Sequence, residues 1–333
     1  MVAATALVTL LVAGLASLFM AWAIGAGSSG STPFAPAVGA NAVSIMRAGF
    51  LVGILGLLGA VLQGANVTEA VGTELVGGVE LSAAAATIAL LLAATLVAIG
   101  IFTGYPIATA FTVTGAVIGV GLAMGGDSAW DKYTEIAALW IGTPFVGGGG
   151  VVYVLATVLV ALVVAGVTYR RATLDPDRAQ RRFLLVLGGL VAFSAGGSQV
   201  GLALGPLVPL LDGYVPLTAL LLGGGLGLLA GSWTGAPRMI KALSQDYAAL
   251  GPNRSIAALI PSFALAQTAV FFGIPVSFNQ IIVSAIIGSG YAASGGKGEV
   301  SARKMGYTLL AWVASLAGAL GIGYGCFLLF DAL

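Results

Sequence analysis

Residues 273–288 read GIPVSFNQIIVSAIIG, an apolar stretch that opens with Gly-Ile-Pro and then places Ser277, Asn279 and Gln280 among large hydrophobic residues. Glycine and proline interrupt helices, whereas the residues that follow can continue one. In lipid, a helix can break only where protein or an enclosed cavity satisfies the freed backbone groups. The stretch therefore predicts a helix that begins again inside a membrane, with polar side chains in its first turn.

The composition of the whole chain indicates the same setting. Of the 333 residues, 59% are hydrophobic and 8% are charged, whereas a soluble domain carries about 25% charged residues. Apolar runs long enough for a membrane helix, which needs about 20 residues, follow one another almost from end to end. We therefore predict an all-α polytopic membrane protein with about 10–12 helical segments, some of them broken or re-entrant.

The reactive residue types argue against an enzyme. The chain has no histidine and a single cysteine, Cys326, which lies in an apolar run. It thus lacks the commonest general base and metal ligand, and no apolar run holds a pair of carboxylates. We predict neither an enzyme nor a resident metal or cofactor, and we expect no nucleic-acid partner.

The two halves of the chain resemble each other. GYPIATAFTVTGAVIG (104–119) resembles residues 273–288, AIGAGSSG (23–30) resembles SAGGSQVG (194–201), and Trp140 pairs with Trp312. The three pairs keep their order at a spacing of about 170 residues, which is typical of an internal repeat. We predict two membrane repeats, residues 1–167 and 183–333, in inverted orientation, as in many secondary transporters.

A basic linker, residues 168–182, is expected between the repeats. Its segment YRRATLDPDRAQRR (169–182) contains five arginines and two aspartates. Because positive loops stay on the cytoplasmic side, we predict a multi-pass protein of the cell membrane with this linker in the cytoplasm.

Four polar islands, residues 25–36, 104–114, 194–206 and 273–284, combine Gly or Pro with hydroxyl or amide side chains and contain no charge. A helix start leaves about four backbone N–H groups unpaired and favours an anion. Such residues also serve simply to pack membrane helices closely, but two matched pairs of islands favour a substrate site near the bilayer midplane. The candidate substrate-binding residues are Ser28, Ser29, Thr109, Ser198, Gln199, Ser277, Asn279 and Gln280.

The ordered motifs resemble the inorganic phosphate transporter (PiT) family of secondary transporters. FSAGGSQVGLALGPL (193–207) stands where the family has a sequence like FAHGANDVANAIGPL, and AIGAGSSGSTPF (23–34) matches it in the first half. GYPIATAF and GIPVSFNQ are similar to the family's later GLPVSTTH-type motif, and LLGAVLQGANVTEAV (57–71) resembles its segment ending in His-Val-Thr-Glu. The resemblance implies a symporter of an inorganic tetrahedral oxyanion.

The chain departs from the family at its charged positions. The Asn-Asp pair of the early motif becomes Gly27-Ser28 and Ser198-Gln199, and the final His of the later motif becomes Phe111 and Gln280. In the family, the aspartates are tied to the binding of phosphate and of the coupling ion. The early motif of the first half, Gly25-Ala26-Gly27-Ser28, looks closer to that of the family's sulfate-permease branch.

The missing carboxylates bear on the choice of substrate. Phosphate near neutral pH carries a proton that needs an acceptor, and leaving it unpaired costs about 1–3 kcal/mol. Sulfate only accepts hydrogen bonds, so a cradle of donors suits it. We expect a sulfate-preferring symporter; a phosphate symporter is the alternative, and a passive anion channel is the alternative of another class.

The coupling ion is either Na⁺ or H⁺. Glu69, at the end of an apolar run, is the candidate carrier of a proton, although an interfacial carboxylate is the plainer interpretation. Gln199, with hydroxyl and carbonyl oxygens, could instead help to hold sodium. The other expected partners are the oxyanion and the lipid bilayer, and a homodimer is kept as an alternative to a monomer.

Overall fold

The computed structural model describes residues 2–142, 176–245, 247, 250–293 and 302–332. In these ranges the chain is almost entirely helical. The elements in chain order are α1 (Val2–Gly27), α2 (Ala35–Gly39), α3 (Ile45–Gln63), α4 (Ala65–Thr73), β1 (Val76–Gly77), α5 (Ala83–Thr103), α6 (Thr109–Ala123), β2 (Asp127–Ser128), α7 (Trp130–Gly142), α8 (Pro176–Leu204), a 3₁₀ turn (Gly205–Leu207), α9 (Val208–Leu211), α10 (Leu217–Thr234), α11 (Ala236–Gln245), α12 (Pro252–Phe271), α13 (Phe278–Ala293) and α14 (Ala302–Asp331).

Seven helices of the described part are long and apolar enough to cross a membrane. They lie in α1, α3, α5, in the segment from α8 through α9, and in α10, α12 and α14, while α6 and α13 are apolar but shorter. The chain is therefore an all-α, multi-pass membrane protein, as predicted. The described residues contain fourteen α-helices rather than about ten to twelve, because short helices such as α2 and α9 form where the long ones are interrupted.

Two of the predicted interruptions lie before α6 and α13. Helix α5 ends at Thr103 and is capped by Gly104, whose φ of 77° is left-handed. The chain then stays non-helical until α6 begins at Thr109. Gly273, with a φ of 65°, precedes a matching non-helical segment before Phe278. Glycine adopts these angles without the strain that a side chain would bring. The prediction of helices that begin again after Gly-x-Pro is confirmed.

The island at residues 194–206 differs from the prediction. Helix α8 continues through it to Leu204 and gives way to the 3₁₀ turn only at Gly205 and Pro206. Its glycines serve close packing instead, because a Cβ on Gly196 would collide with the backbone of Gly56 in α3. Small residues at helix contacts let backbones approach in this way.

The expected linker is partly helical. Residues 176–182 form the first turns of α8. The remainder of the linker, residues 168–175, and the predicted end of the first repeat at residue 167 lie outside the described residues.

The two halves have a common order of elements. In the first half, the long helix α1 is followed by α3, the short helix α4, α5 and, after an interruption, α6. In the second half, the long helix α8 is followed in the same way by α10, the short helix α11, α12 and, after an interruption, α13. This order agrees with a repeat; the inverted orientation of the halves stays a prediction.

The described charged residues are separated between two ends of the helix bundle. At one end, Gln180 donates to Asn253, so the starts of α8 and α12 lie together; at the other, Asn66 of α4 donates to Phe271 O at the end of α12. The first end, here called the basic end, carries Arg47, Arg178, Arg181, Arg182, Arg238, Lys241, Arg254, Arg303 and Lys304, together with Asp177. The second, the acidic end, carries Glu69, Glu74, Glu80, Asp127, Asp131, Glu135, Asp212 and Asp331, together with Lys132.

Candidate functional site

Gln199 joins all four polar islands. It lies in α8 and is fully buried. Its Oε1 accepts hydrogen bonds from Ser28 Oγ at 3.0 Å and from Thr109 Oγ1 at 2.8 Å. Its Nε2 donates to Val276 O at 2.6 Å. One side chain thus connects the end of α1, the start of α6 and the non-helical segment before α13.

Asn279 makes a second connection between the same elements. It lies in the first turn of α13 and is fully buried. Its Nδ2 donates to Gly27 O at 2.9 Å and to Ile107 O at 2.6 Å. We call Ser28, Thr109, Gln199 and Asn279 the central cluster.

Several buried polar atoms have no hydrogen-bond partner. In the described part of the chain these are Ser198 Oγ, Ser277 Oγ, Asn279 Oδ1 and Thr114 Oγ1. Ser198 adjoins Gln199 in sequence, and the carbonyl of Ser277 accepts the first backbone bond of α13, from Ile281 N at 3.0 Å. A buried polar atom left unpaired costs about 1–3 kcal/mol. One of these atoms, Asn279 Oδ1, belongs to the central cluster, which is therefore the candidate site for a polar ligand.

The starts of α6 and α13 supply backbone donors to the same region. The first intrahelical bond of α6 runs from Thr112 N to Ala108 O, and the N-cap, Ala108, makes no side-chain cap hydrogen bond. The N–H groups of the preceding first turn therefore have no partner within the helix. Free N–H groups and the positive end of the helix dipole favour an anion. Because no member of the central cluster is charged, this attraction comes from neutral groups.

Two of the predicted site residues have other surroundings. Gln280 Nε2 donates one of its two protons to Trp140 O at 2.9 Å, so this amide group is bonded to α7. Its role as a donor to the anion stays a prediction. Ser29 is buried beside Ser28 but makes no hydrogen bond to Gln199 or Asn279. The structure brings together Ser28, Thr109, Gln199 and Asn279. Ser198 precedes Gln199 in α8, and Ser277 directly precedes α13; both side chains are buried without a hydrogen-bond partner.

Two buried tryptophans hold the non-helical segments from the opposite half of the chain. Trp140 Nε1 donates to Pro275 O at 2.8 Å, and Trp312 Nε1 donates to Pro106 O at 2.7 Å. The Trp140 ring also stacks on Phe111, with ring centroids 3.9 Å apart. The sequence showed the tryptophans only as a matched pair; their reciprocal contact with the two prolines was not predicted.

The coupling candidate Glu69 lies away from the central cluster. Its side chain is exposed on α4, whereas the preceding residue, Thr68, is buried. The structure thus places Glu69 at the acidic end and Gln199 at the centre. A role for either in ion coupling stays a prediction.

A second polar cluster was missed by the sequence analysis. Gln267 Nε2 donates to Ser194 Oγ at 2.7 Å, and the amides of Gln267 and Gln63 approach within 3.4 Å. The signal that could have revealed it is the presence of single glutamines in the apolar runs that form α3 and α12.

Comparisons with known proteins agree with this architecture. A family model described as "Phosphate transporter family" matches residues 24–323. A predicted phosphate permease of Pyrococcus furiosus is 24% identical over 360 aligned residues, covering 85% of this chain and 87% of that protein. Another, from Chlamydia trachomatis, is 22% identical over 414 aligned residues and covers 95% and 96%.

A solved structure has a similar fold. It is titled "The sodium-dependent phosphate transporter", superposes with a TM-score of 0.80 at 19% identity, and covers 98% of this chain and 100% of its own. The overall fold is therefore similar to that of this solved structure along nearly the whole chain.

Proposed function

This chain belongs to the phosphate transporter family, and from that premise we propose that it is a secondary active transporter of inorganic phosphate, driven by a cation gradient across the cell membrane. The observation that carries the proposal is the central cluster. Gln199 and Asn279 join two interrupted helices to α1 and α8 around buried polar atoms that lack partners. Discontinuous helices that meet around a midplane site are the usual plan of secondary transporters.

Phosphate is the preferred substrate in this proposal. The relatives from Pyrococcus furiosus and Chlamydia trachomatis are both called phosphate permeases, and phosphate appears in the name of the matching family. Sulfate, the substrate favoured by the sequence, remains the second candidate, because the central cluster contains no carboxylate.

Sodium is the proposed coupling ion. The structure of similar fold is titled a sodium-dependent transporter, and the central cluster contains hydroxyl, amide and carbonyl oxygens but no titratable group. Proton coupling through Glu69 is the competing hypothesis, since Glu69 is the carboxylate that the sequence places at the end of an apolar run.

The test is uptake of radiolabelled phosphate and sulfate into liposomes that contain the purified protein, under a sodium gradient, a proton gradient or neither. We expect phosphate to accumulate when sodium is higher outside. Sulfate accumulation without phosphate accumulation would contradict the choice of substrate. Uptake that needs only a proton gradient, and that Glu69→Gln abolishes, would contradict sodium coupling.

Electrical recording from the purified protein in planar bilayers distinguishes a transporter from a channel. A transporter gives no single-channel currents in planar bilayers, whereas large unitary anion currents would show that the passive-channel alternative is correct.

A further inference from the structure

We propose that Asn279 recognises the proton of the bound oxyanion. In this proposal Asn279 Oδ1 accepts a hydrogen bond from a protonated ligand oxygen, so the site prefers protonated tetrahedral oxyanions, such as phosphate, to fully ionised ones, such as sulfate. The inference rests on the proposed function and assigns a specificity-determining residue within it.

The orientation of the Asn279 amide is fixed by two backbone carbonyls. Both Nδ2 protons are used, one by Gly27 O and one by Ile107 O. If the amide were rotated by 180°, Oδ1 would face these two carbonyl oxygens, and no hydrogen bond could form because all three oxygens are acceptors. Oδ1 must therefore lie on the other side of the amide, where it is buried and has no partner. An amide oxygen can only accept a hydrogen bond.

The neighbouring hydroxyls are also committed as donors. Ser28 and Thr109 each have one hydroxyl proton, and Gln199 Oε1 receives both. While their protons are used within the cluster, these two oxygens can only accept a hydrogen bond from a ligand. The sequence predicted a cradle made of donors alone; the structure instead has acceptors among the central cluster, and donors in the free hydroxyls of Ser198 and Ser277 and in the helix starts.

A site with a fixed, unpaired acceptor favours an oxyanion that carries an O–H group over one that does not. Phosphate near neutral pH retains at least one O–H, which can donate to Asn279 Oδ1, while its other oxygens accept from the surrounding donors. Sulfate has no proton, so one of its oxygens would face the amide oxygen without a hydrogen bond between them. Leaving such a buried acceptor unpaired is expected to weaken sulfate binding about 10-fold to 100-fold relative to phosphate.

The test uses pairs of oxyanions that are similar in size and differ in protonation. Dissociation constants of phosphate, sulfate, arsenate and selenate are measured by calorimetry on the full-length protein in lipid nanodiscs, at neutral pH with sodium. We expect phosphate to bind at least about 10-fold more tightly than sulfate, and arsenate more tightly than selenate by a similar factor.

Three results would overturn the inference in different ways. Equal affinities within each pair, or tighter binding of sulfate and selenate, would contradict the role of Asn279 and leave oxyanion transport standing. Binding of none of the four anions would refute the proposed function as well.

A variant then tests whether Asn279 causes the preference for phosphate over sulfate. Asn279→Leu replaces the amide by an apolar side chain of similar size and so removes the acceptor. The ratio of phosphate affinity to sulfate affinity is then expected to fall towards one. The matched control is Asn66→Leu, which removes an amide that also donates to a backbone carbonyl, Phe271 O, but on the exposed side of α4; its ratio should equal that of the wild type. Because Asn279→Leu also loses two hydrogen bonds, folding is checked by thermal unfolding, and the wild-type comparison tests the proposal without any variant.

A bound sodium ion is the other partner that could satisfy Asn279 Oδ1. Repeating the titrations with sodium replaced by choline distinguishes the two. If Oδ1 binds sodium, Asn279→Leu will lose the sodium dependence of phosphate binding and keep the phosphate-to-sulfate ratio, and that result would overturn the proposal.

Discussion

Buried amide and hydroxyl groups decide the properties of the site at the scale of single residues. Gln199 uses both ends of its amide to connect three segments, whereas the hydroxyl of Ser277 is buried without a partner. The first arrangement mainly stabilises the fold, and the second leaves a group available to a ligand. Stability and substrate binding should therefore respond differently when the two residues are changed.

Gln199→Leu keeps the approximate size of the side chain and removes its hydrogen bonds. Val276 O and the hydroxyls of Ser28 and Thr109 then lose their partner, so we expect the free energy of unfolding to fall by about 1–3 kcal/mol and phosphate uptake to be lost. Thermal unfolding and liposome uptake measure the two effects. Gln180→Leu, which changes an amide at the exposed contact with Asn253, serves as the control, and equal behaviour of the two variants would contradict the prediction.

Ser277→Ala should separate binding from stability. Its hydroxyl makes no hydrogen bond within the described structure, so removing it should leave the melting temperature unchanged or raise it, while phosphate affinity falls about 10-fold. Ser262→Ala is the matched control, because that buried hydroxyl donates to Ala258 O at 2.7 Å and its loss should lower stability without altering affinity. Wild-type affinity in Ser277→Ala would remove Ser277 from the site.

At the scale of elements, the positions of α6 and α13 depend on contacts from the opposite half of the chain. Each helix follows a non-helical segment that has few backbone bonds of its own. An indole N–H from the other half holds the proline carbonyl in each segment. The local sequence sets where along the chain the two helices begin, whereas these tertiary contacts set where the helix starts lie in space.

Trp140→Phe and Trp312→Phe retain an aromatic ring and remove the N–H donor. Each should destabilise the protein by about 1–2 kcal/mol and slow phosphate uptake, because the proline carbonyl loses its partner and the helix start shifts. Trp130→Phe is the control, since Trp130 is 72% exposed. Uptake at the wild-type rate in both buried variants would show that the indole bonds do not position the site.

A charged cluster joins the end of α4 to the start of α7. Lys132 lies 2.7 Å from Glu74 and 3.0 Å from Glu135. Burial disfavours its charged form, but hydrogen bonds to the two carboxylates and their charges outweigh this, so the pKa of Lys132 is raised above its ordinary value of 10.5. A raised folded-state pKa gives stability that is complete below the unfolded value and disappears as pH rises through the folded one.

Lys132→Met should therefore lower stability by about 1 kcal/mol at neutral pH, and the difference from the wild type should shrink only in strongly alkaline solution. Thermal unfolding across the pH range measures it. Lys241→Met, a change at an exposed lysine of α11, should have little effect at any pH. A difference that persists unchanged at high pH would contradict the electrostatic explanation.

At the scale of the whole molecule, the separation of charge predicts orientation in the membrane. Basic residues accumulate on the cytoplasmic side of membrane proteins, so the basic end, with the starts of α8 and α12, should face the cytoplasm. The acidic end, with Glu69, Asp212 and the β1–β2 ribbon, should then face outward. This orientation agrees with a cytoplasmic position of the segment that precedes α8.

Cysteine labelling tests the orientation. In a background where Cys326 is replaced by Ala, Asp212→Cys should react with a membrane-impermeant thiol reagent in intact cells. Arg181→Cys, exposed at the opposite end, should react only after the membrane is opened. The reverse pattern would show that the protein is inserted the other way round.

The sequence by itself determined the class of fold and the location of the interrupted helices. Composition requires lipid as the main solvent, and Gly-x-Pro before a polar cluster requires a new helix start, because both effects are local to the residues involved. The same local chemistry identified the residues of the central cluster. It failed at residues 194–206, where glycines that could have broken a helix are used to bring α3 and α8 close together.

Only the tertiary structure decided which polar groups remain free. From the sequence, Asn279, Gln199, Ser28 and Thr109 are all possible hydrogen-bond donors. A donor is available to a ligand only if it does not already donate to another group of the protein. Here the acceptors come from residues distant in the chain. The carbonyl oxygens of Gly27 and Ile107 accept hydrogen bonds from both N–H groups of the Asn279 amide, and Gln199 Oε1 accepts from the hydroxyls of Ser28 and Thr109. Because hydrogen-bond partners are assigned by proximity in space, the change from a cradle of donors to a site with a fixed acceptor appears only once the chain is folded.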